Sequence, residues 1–243
     1  MPGEKIALIT GANKGIGFEI ARQLGGHPGV IVLLGARDEV RGKRAADALA
    51  GHGVAAVPLR IDVTDAASVA AAAAEIERGH GRLDVLVNNA GIAGGFAGPP
   101  SEATAADMRE VYETNVFGVV SVTNAMLPLL RRSAAGRIVN LSSHLGSLTL
   151  NSDPGSPFAG INLIAYQSSK TALNAITAGY AKELRGTRIK VNAACPGMVA
   201  TDLNRHQGKG TPAAGAVIAV RLALLDEGGP SGAFLSEDGI VPW

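Results

Sequence analysis

The chain holds one cysteine, Cys195, in 243 residues, so no intrachain disulfide can form. Its five histidines, His27, His52, His80, His144 and His206, do not fall at metal-ligand spacing. No second cysteine or carboxylate cluster completes a site, so no metal centre is expected. Aromatic residues are only 4% against 47% hydrophobic, which leaves the core to Ala, Val, Leu and Ile. That mix suits buried parallel strands packed against helices. A net charge of +1 gives no electrostatic case for a nucleic acid or an anionic membrane. No apolar run approaches the ~20 residues of a membrane-crossing helix. The opening Met1–Lys5 runs straight into an apolar segment without the h-region and cleavage signature of a secretory leader. A reduced, cytoplasmic compartment is the expectation.

Glycine, by contrast, is plentiful, and it recurs at breaks between periodic segments. Strands are expected at 5–10, 30–34, 54–59, 83–87, 137–142 and 188–193, with a short last one at 233–235. Helical periodicity falls at 16–24, 39–50, 65–78, 164–184 and 212–225. Asp65 or Thr64 caps the helix at 65–78. Residues 104–131 read as a short helix followed by a long one, with Pro128 kinking or nearly ending it. Strand and helix alternate throughout without linker or repeat. One α/β domain over 1–243 follows: a Rossmann-type doubly wound parallel sheet of about seven strands, with helices on both faces.

Five segments, after strands one, two, four, five and six, fall where that fold gathers ligands, beyond the carboxyl ends of the strands. The first is Thr10-Gly11-Ala12-Asn13-Lys14-Gly15-Ile16-Gly17, between strand one and helix one. Gly11 makes the tight turn, Gly15 lets the backbone approach a pyrophosphate, and Gly17 lets the helix pack against the sheet. The helix N-terminus then offers free N–H groups to the anion. Read alone the pattern is also that of a plain glycine-rich turn, since its spacing departs from G-x-G-x-x-G. Twenty residues past Gly17, where an acid would mark NAD, stands Arg37, which suits a 2′-phosphate; Lys14 adds a second positive charge. The neighbouring Asp38 leaves a ribose hydroxyl contact, and so NAD, open.

Tyr166 and Lys170 share a helix face, and an ammonium beside a phenol lowers its pKa towards the working range of a general acid. Asn88-Asn89-Ala90-Gly91 follows strand four, Ser142-Ser143 strand five and Pro196-Gly197 strand six. Their convergence on one sheet edge carries the functional reading.

On Thr10–Gly17, Asn88–Gly91, Asn115, Ser142-Ser143, Tyr166–Lys170 and Pro196–Thr201 the chain resembles the short-chain dehydrogenase/reductase superfamily over essentially its whole length. Within it, Asn13–Gly17, Ala36-Arg37-Asp38 with Arg41-Gly42, and Gly232-Ala233-Phe234 with Pro242-Trp243 are similar to the carbonyl-reductase-like NADPH members. The resemblance implies hydride exchange between NADP(H) and a carbonyl or alcohol substrate. Tyr166 would give or take the proton, Lys170 would bind the nicotinamide ribose and lower the phenol pKa, and Ser143 would hold the substrate oxygen. The choice between Ser142 and Ser143 is open, with Ser143 favoured by alignment. Asn115 would hold a water linking Lys170 to solvent; Asp62, with Val63, would meet the adenine. Asn89, Ala90 and Gly91 would line the adenosine ribose, and Pro196, Gly197, Val199 (by its backbone) and Thr201 the nicotinamide amide.

Two departures stand out. Twenty-three residues separate Ser143 from Tyr166, more than is usual in the family, although the carbonyl-reductase-like members carry an insertion there. The turn-rich stretch 150–162 is expected to form a loop over the substrate site and to shape substrate choice. Residues 202–211 are short and polar where larger members place substrate-binding helices, and His206 reads as a solvated loop residue. The family also implies a homo-oligomer paired through the helices at 109–131 and 164–184, against which stands the insertion, which would obstruct one such interface. The competing readings are an NAD-dependent alcohol dehydrogenase of the same fold and a nucleotide-binding sensor without turnover. A sensor would be expected to lack the tyrosine or the lysine.

Overall fold

Lys5–Ile9 forms the first strand, β1, and its alternation sends Ile6 and Leu8 to one side of a sheet and Ala7 and Ile9 to the other. Both sets are buried, which is why the segment reads as an unbroken apolar run. The computed structural model describes residues 4–243, and the expectation placed on Met1–Gly3 lies outside them.

Helix and strand then alternate. They run as α1 (Gly15–Gly25), β2 (Val30–Ala36), α2 (Glu39–Gly51), β3 (Ala56–Arg60), α3 (Ala66–His80), β4 (Val85–Asn88), α4 (Ala105–Tyr112) and α5 (Gly118–Leu130). After these come β5 (Arg137–Leu141), α6 (Leu148–Ser152), α7 (Ile164–Glu183), β6 (Lys190–Ala194), α8 (Pro212–Ala223), β7 (Phe234–Ser236) and β8 (Gly239–Ile240). One sheet collects the strands in the order β3-β2-β1-β4-β5-β6-β7-β8. Pairing is parallel from β3 to β7, and β8 returns antiparallel on β7. This is the expected Rossmann-like α/β sheet with one strand more than the seven read from the sequence.

On one face Ile20 and Leu24 of α1, Leu49 of α2 and Ile218 of α8 pack with Ala7 and Ile9. On the other, Ile76 of α3, Met126 of α5 and Ala181 of α7 pack with Ile6 and Leu8. The chain runs outward from β1 to β3 and resumes on the far side of β1 with β4, so the switch point opens between β1 and β4, the crevice where this architecture takes ligands.

Local chemistry fixes the helix starts. Asp65, not Thr64, caps α3 through Ala67 N, and Thr104 with Asp107 forms a capping box on α4. Between α4 and α5 the backbone widens into a π-helical turn over Glu113–Phe117. Pro128 lies inside α5, which ends soon after it, at Leu130. The stretch expected as a loop from 150 is partly helical: a 3-10 turn at His144–Gly146 leads into α6.

Candidate active site

The turn after β1 is open towards the switch point. Gly11 and Gly15 hold φ of +64° and +58°, which a side chain would strain. A Cβ on Gly15 would meet only Thr201 Cγ2, at 3.8 Å, so the turn keeps a free face with Thr201 opposite. Lys14 occupies the N-cap of α1 without a side-chain cap, which leaves the first N–H groups of the helix facing that space. Ile16 packs on the core, and Asn13 is half-buried. A Cβ on Gly17 would run into Asn89 Nδ2, just beyond β4, and come within 2.6 Å of the Gly11 carbonyl oxygen, so its smallness lets the start of the helix lie against both the end of β4 and the glycine turn.

At the end of β2, Arg37 is exposed and makes no ion pair among the described residues. Asp38 is turned away as the N-cap of α2, accepting from Arg41 N at 2.9 Å, and that bond holds its carboxyl below the ordinary value. Lys14 is not the free second cation expected: it pairs with Asp202 at 2.5 Å. Asp202 also meets His206 Nε2 at 2.9 Å, and both groups hold its carboxyl below the usual range.

The residues expected around the adenosine are mostly tied into the loops that carry them. Asp62 Oδ1 accepts from Thr64 N and Oγ1, an Asx turn, and Val63 packs against Gly118. Asn89 Nδ2 donates to the carbonyls of Thr10 and Gly11, and Asn89 N and Ala90 N both donate to Thr10 Oγ1. The Asn89 side chain therefore fastens β4 to the glycine turn rather than standing free. A Cβ on Gly91 would lie 3.3 Å from Asn115 Oδ1 and 3.6 Å from Lys170 Nζ, which links this loop to the tyrosine–lysine pair. Beyond β6, Pro196 and Gly197 lead to Val199, whose carbonyl accepts from Asn204 Nδ2 and whose N–H donates to Gly197 O. The Val199 backbone is thus engaged within its own loop. Thr201 starts a capped 3-10 turn at Asp202–Asn204.

Tyr166 and Lys170 are both buried in the first turns of α7. Lys170 Nζ donates to Leu141 O at 2.7 Å and lies 5.5 Å from the Tyr166 ring centroid. Burial pushes the phenol up to about 12, while hydrogen bonding by the Ser143 side chain pulls it down. Burial likewise brings the Lys170 ammonium down to about 8. The expected depression of the phenol by Lys170 is therefore not seen in this structure, where burial raises the phenol and lowers the ammonium. Cys195, beside them, is pushed up to about 11 by burial and stays a thiol near neutrality.

The two serines separate in role. Ser142 Oγ donates to Asn174 Oδ1 at 2.6 Å and is buried, whereas Ser143 faces the phenol and also accepts from Leu145 N. Asn115 lies in the π-helical turn with its amide tied to the loop after β4 and to α7: Nδ2 donates to Ile92 O and Ser169 Oγ, and Oδ1 accepts from Ile92 N. The insertion folds back here too, for Phe158 stacks on His144 with centroids 5.3 Å apart. Thr149 bonds the Trp243 carbonyl through both N and Oγ1. Sequence reasoning missed Asn174, Gly146 and the Lys14–Asp202 pair. Asn174 alone carried a signal, as a polar residue on the buried face of α7 that bears Tyr166 and Lys170.

A family model described as short chain dehydrogenase matches residues 5–211. The chain is 36% identical to (-)-isopiperitenone reductase of Mentha piperita over 97% of each protein. It is 34% identical to carbonyl reductase (NADPH) 1 of Bos taurus over 98% of each. Among solved structures, NADPH-bound carbonyl reductase from chicken fatty liver superposes with a TM-score of 0.84 at 29% identity, covering 100% of both chains.

Proposed function

This chain belongs to the short-chain dehydrogenase family, and from that premise we propose that it is an NADPH-dependent reductase of carbonyl compounds, with Tyr166 as the acid. The observation that carries the reading is the meeting of Tyr166, Lys170 and Ser143 on the same edge of the parallel sheet as the uncapped N-terminus of α1. That the relatives include proteins named as NADPH carbonyl reductases supports it.

The residues present fit a dinucleotide. The glycine turn has room for a phosphate against backbone N–H groups, and Arg37, without an ion-pair partner among the described residues, stands where a 2′-phosphate would be read. Gly11, Gly15 and the start of α1 would hold the pyrophosphate, and Arg37 the 2′-phosphate. Asp62 and Val63 would flank the adenine, Ala90 and Gly91 the ribose, and Pro196–Thr201 the nicotinamide end. When bound, the cofactor supplies the hydride for reduction or accepts it in oxidation. The remaining work falls to side chains of the chain. Ser143 Oγ donates a hydrogen bond to the substrate oxygen and holds it at the phenol. Tyr166, protonated throughout the neutral range, gives its proton to that oxygen. Lys170 lies behind the ring, where its ammonium favours the phenolate left by that transfer. The capping of α2 by Asp38 engages one of its carboxylate oxygens, which supports NADPH over NAD.

The test is incubation of the purified protein with NADPH and a panel of aldehydes, ketones and quinones, following loss of the reduced nicotinamide's absorbance. Turnover that disappears in Tyr166→Phe is expected. Turnover untouched by that substitution would overturn the assignment of the acid.

A further inference from the structure

Asn174 lies one turn beyond Lys170 and two beyond Tyr166 on the buried face of α7. It is 3% exposed, yet both polar atoms of its amide reach outside its helix. Oδ1 accepts from Ser142 Oγ at 2.6 Å, and Nδ2 donates to Gly146 O at 3.2 Å. Those two partners bracket Ser143. Thr171 Oγ1 adds a bond to the same Gly146 carbonyl, at 2.9 Å. Gly146 makes the approach close: a Cβ there would sit 2.8 Å from the carbonyl carbon of Lys170. The serine segment is thus laid directly on the backbone of the tyrosine helix, and one side chain ties down both of its ends.

We propose that Asn174 is a positioning residue that fixes the Ser143 segment against Tyr166 by bonding Ser142 and Gly146 at once, an inference that rests on Ser143 and Tyr166 as the pair at the substrate oxygen. A buried amide with both partners satisfied holds a unique geometry, and an isosteric apolar side chain fills the space without holding the segment. An offset of about 1 Å at a reacting group is enough to cost roughly 100-fold in rate.

The experiment compares Asn174→Leu and Asn174→Asp with wild type, each alone and combined with Ser143→Ala. Asn174→Leu is expected to lower kcat/KM for a carbonyl substrate roughly 10- to 100-fold. NADPH affinity, measured by nicotinamide fluorescence, should stay within about twofold. Asn174→Asp keeps the bond from Ser142 but cannot donate to Gly146, and should fall between. In the Ser143→Ala background, either substitution should cost less than about twofold, because the group it positions is gone. Losses that multiply instead, or no loss in the single variants, overturn the proposal. Hydrogen exchange supplies a readout independent of turnover: the amides of residues 143–147 should exchange faster in both variants, with the rest of α7 unchanged. Failure of wild type to reduce any carbonyl would strike the functional reading, and unchanged exchange over 143–147 would still strike this one. Should Asn174→Leu not fold, Asn174→Asp and Ser142→Ala carry the same comparison.

Discussion

Ser142 Oγ donates a 2.6 Å hydrogen bond to Asn174 Oδ1, which fixes the first of two adjacent serines to α7 and leaves the second, Ser143, facing Tyr166. The two hydroxyls should therefore differ in consequence. Ser143→Ala is expected to lower kcat/KM for carbonyl reduction by about 100-fold, since a hydrogen bond made to developing charge is lost. Ser142→Ala, which loosens only one end of the segment, should lower it about tenfold or less. Steady-state kinetics on the two variants checks the order, and a larger loss at Ser142 would reverse the assignment.

Removal of the phenol hydroxyl is a sharper test of the acid. Tyr166→Phe keeps the ring that fills the site and removes the proton. The expected fall in kcat is about 10²- to 10⁴-fold, the usual worth of a general acid, with NADPH affinity changed by less than about twofold. Fluorescence titration alongside single-turnover kinetics separates the two effects.

Cofactor choice should turn on Arg37 more than on Lys14. Arg37→Asp is expected to weaken NADPH about 10- to 100-fold, in keeping with the loss of a charge-assisted bond, and to leave NADH nearly unchanged. Lys14 is 60% exposed and already paired with Asp202, so Lys14→Ala should move either affinity by only a few-fold, about the worth of a surface pair. Equal losses for both cofactors in Arg37→Asp would remove it as the reader of the 2′-phosphate.

The two directions of reaction should respond oppositely to pH. Tyr166, raised to about 12, holds its proton throughout the neutral range, so the acid form needed for reduction does not run short. Lys170, lowered to about 8, loses its charge as pH rises through that value. Reduction should therefore stay level below about pH 8 and decline above it. Oxidation needs the phenolate, so it should rise with pH up to about 8 and level off above it, where Lys170 no longer favours that form. Rates measured both ways across that range would contradict this if oxidation were fastest at neutral pH.

The sequence spoke clearly wherever one residue's chemistry dictates local structure. β1, its glycine turn and α1 follow from an apolar run, two positions at positive φ and a helix start. A cap at Thr64 or Asp65 was legible for the same reason, and the structure assigns it to Asp65. What stayed hidden depends on partners far along the chain. β8 has two residues, too few for alternation to appear. The π-helical turn around Asn115 has no period of its own to read. Asn174 shares a helix face with Tyr166 and Lys170, but its role stays hidden until Ser142 and Gly146 are brought to it. The Tyr166–Lys170 spacing suggested a lowered phenol pKa, but burial acts on both groups, and sequence spacing carries no measure of desolvation. Lys14 was read as free because Asp202, its partner, lies on the far side of the cleft in sequence.

Direct titration of the purified protein with NADPH and with NADH, followed by nicotinamide fluorescence, bears most closely on the central claim. The glycine turn and Arg37 require NADPH to bind at least about tenfold more tightly than NADH. Binding of neither would reduce the glycine turn to a structural feature and withdraw the oxidoreductase assignment; equal binding of both would contradict the reading of the 2′-phosphate by Arg37.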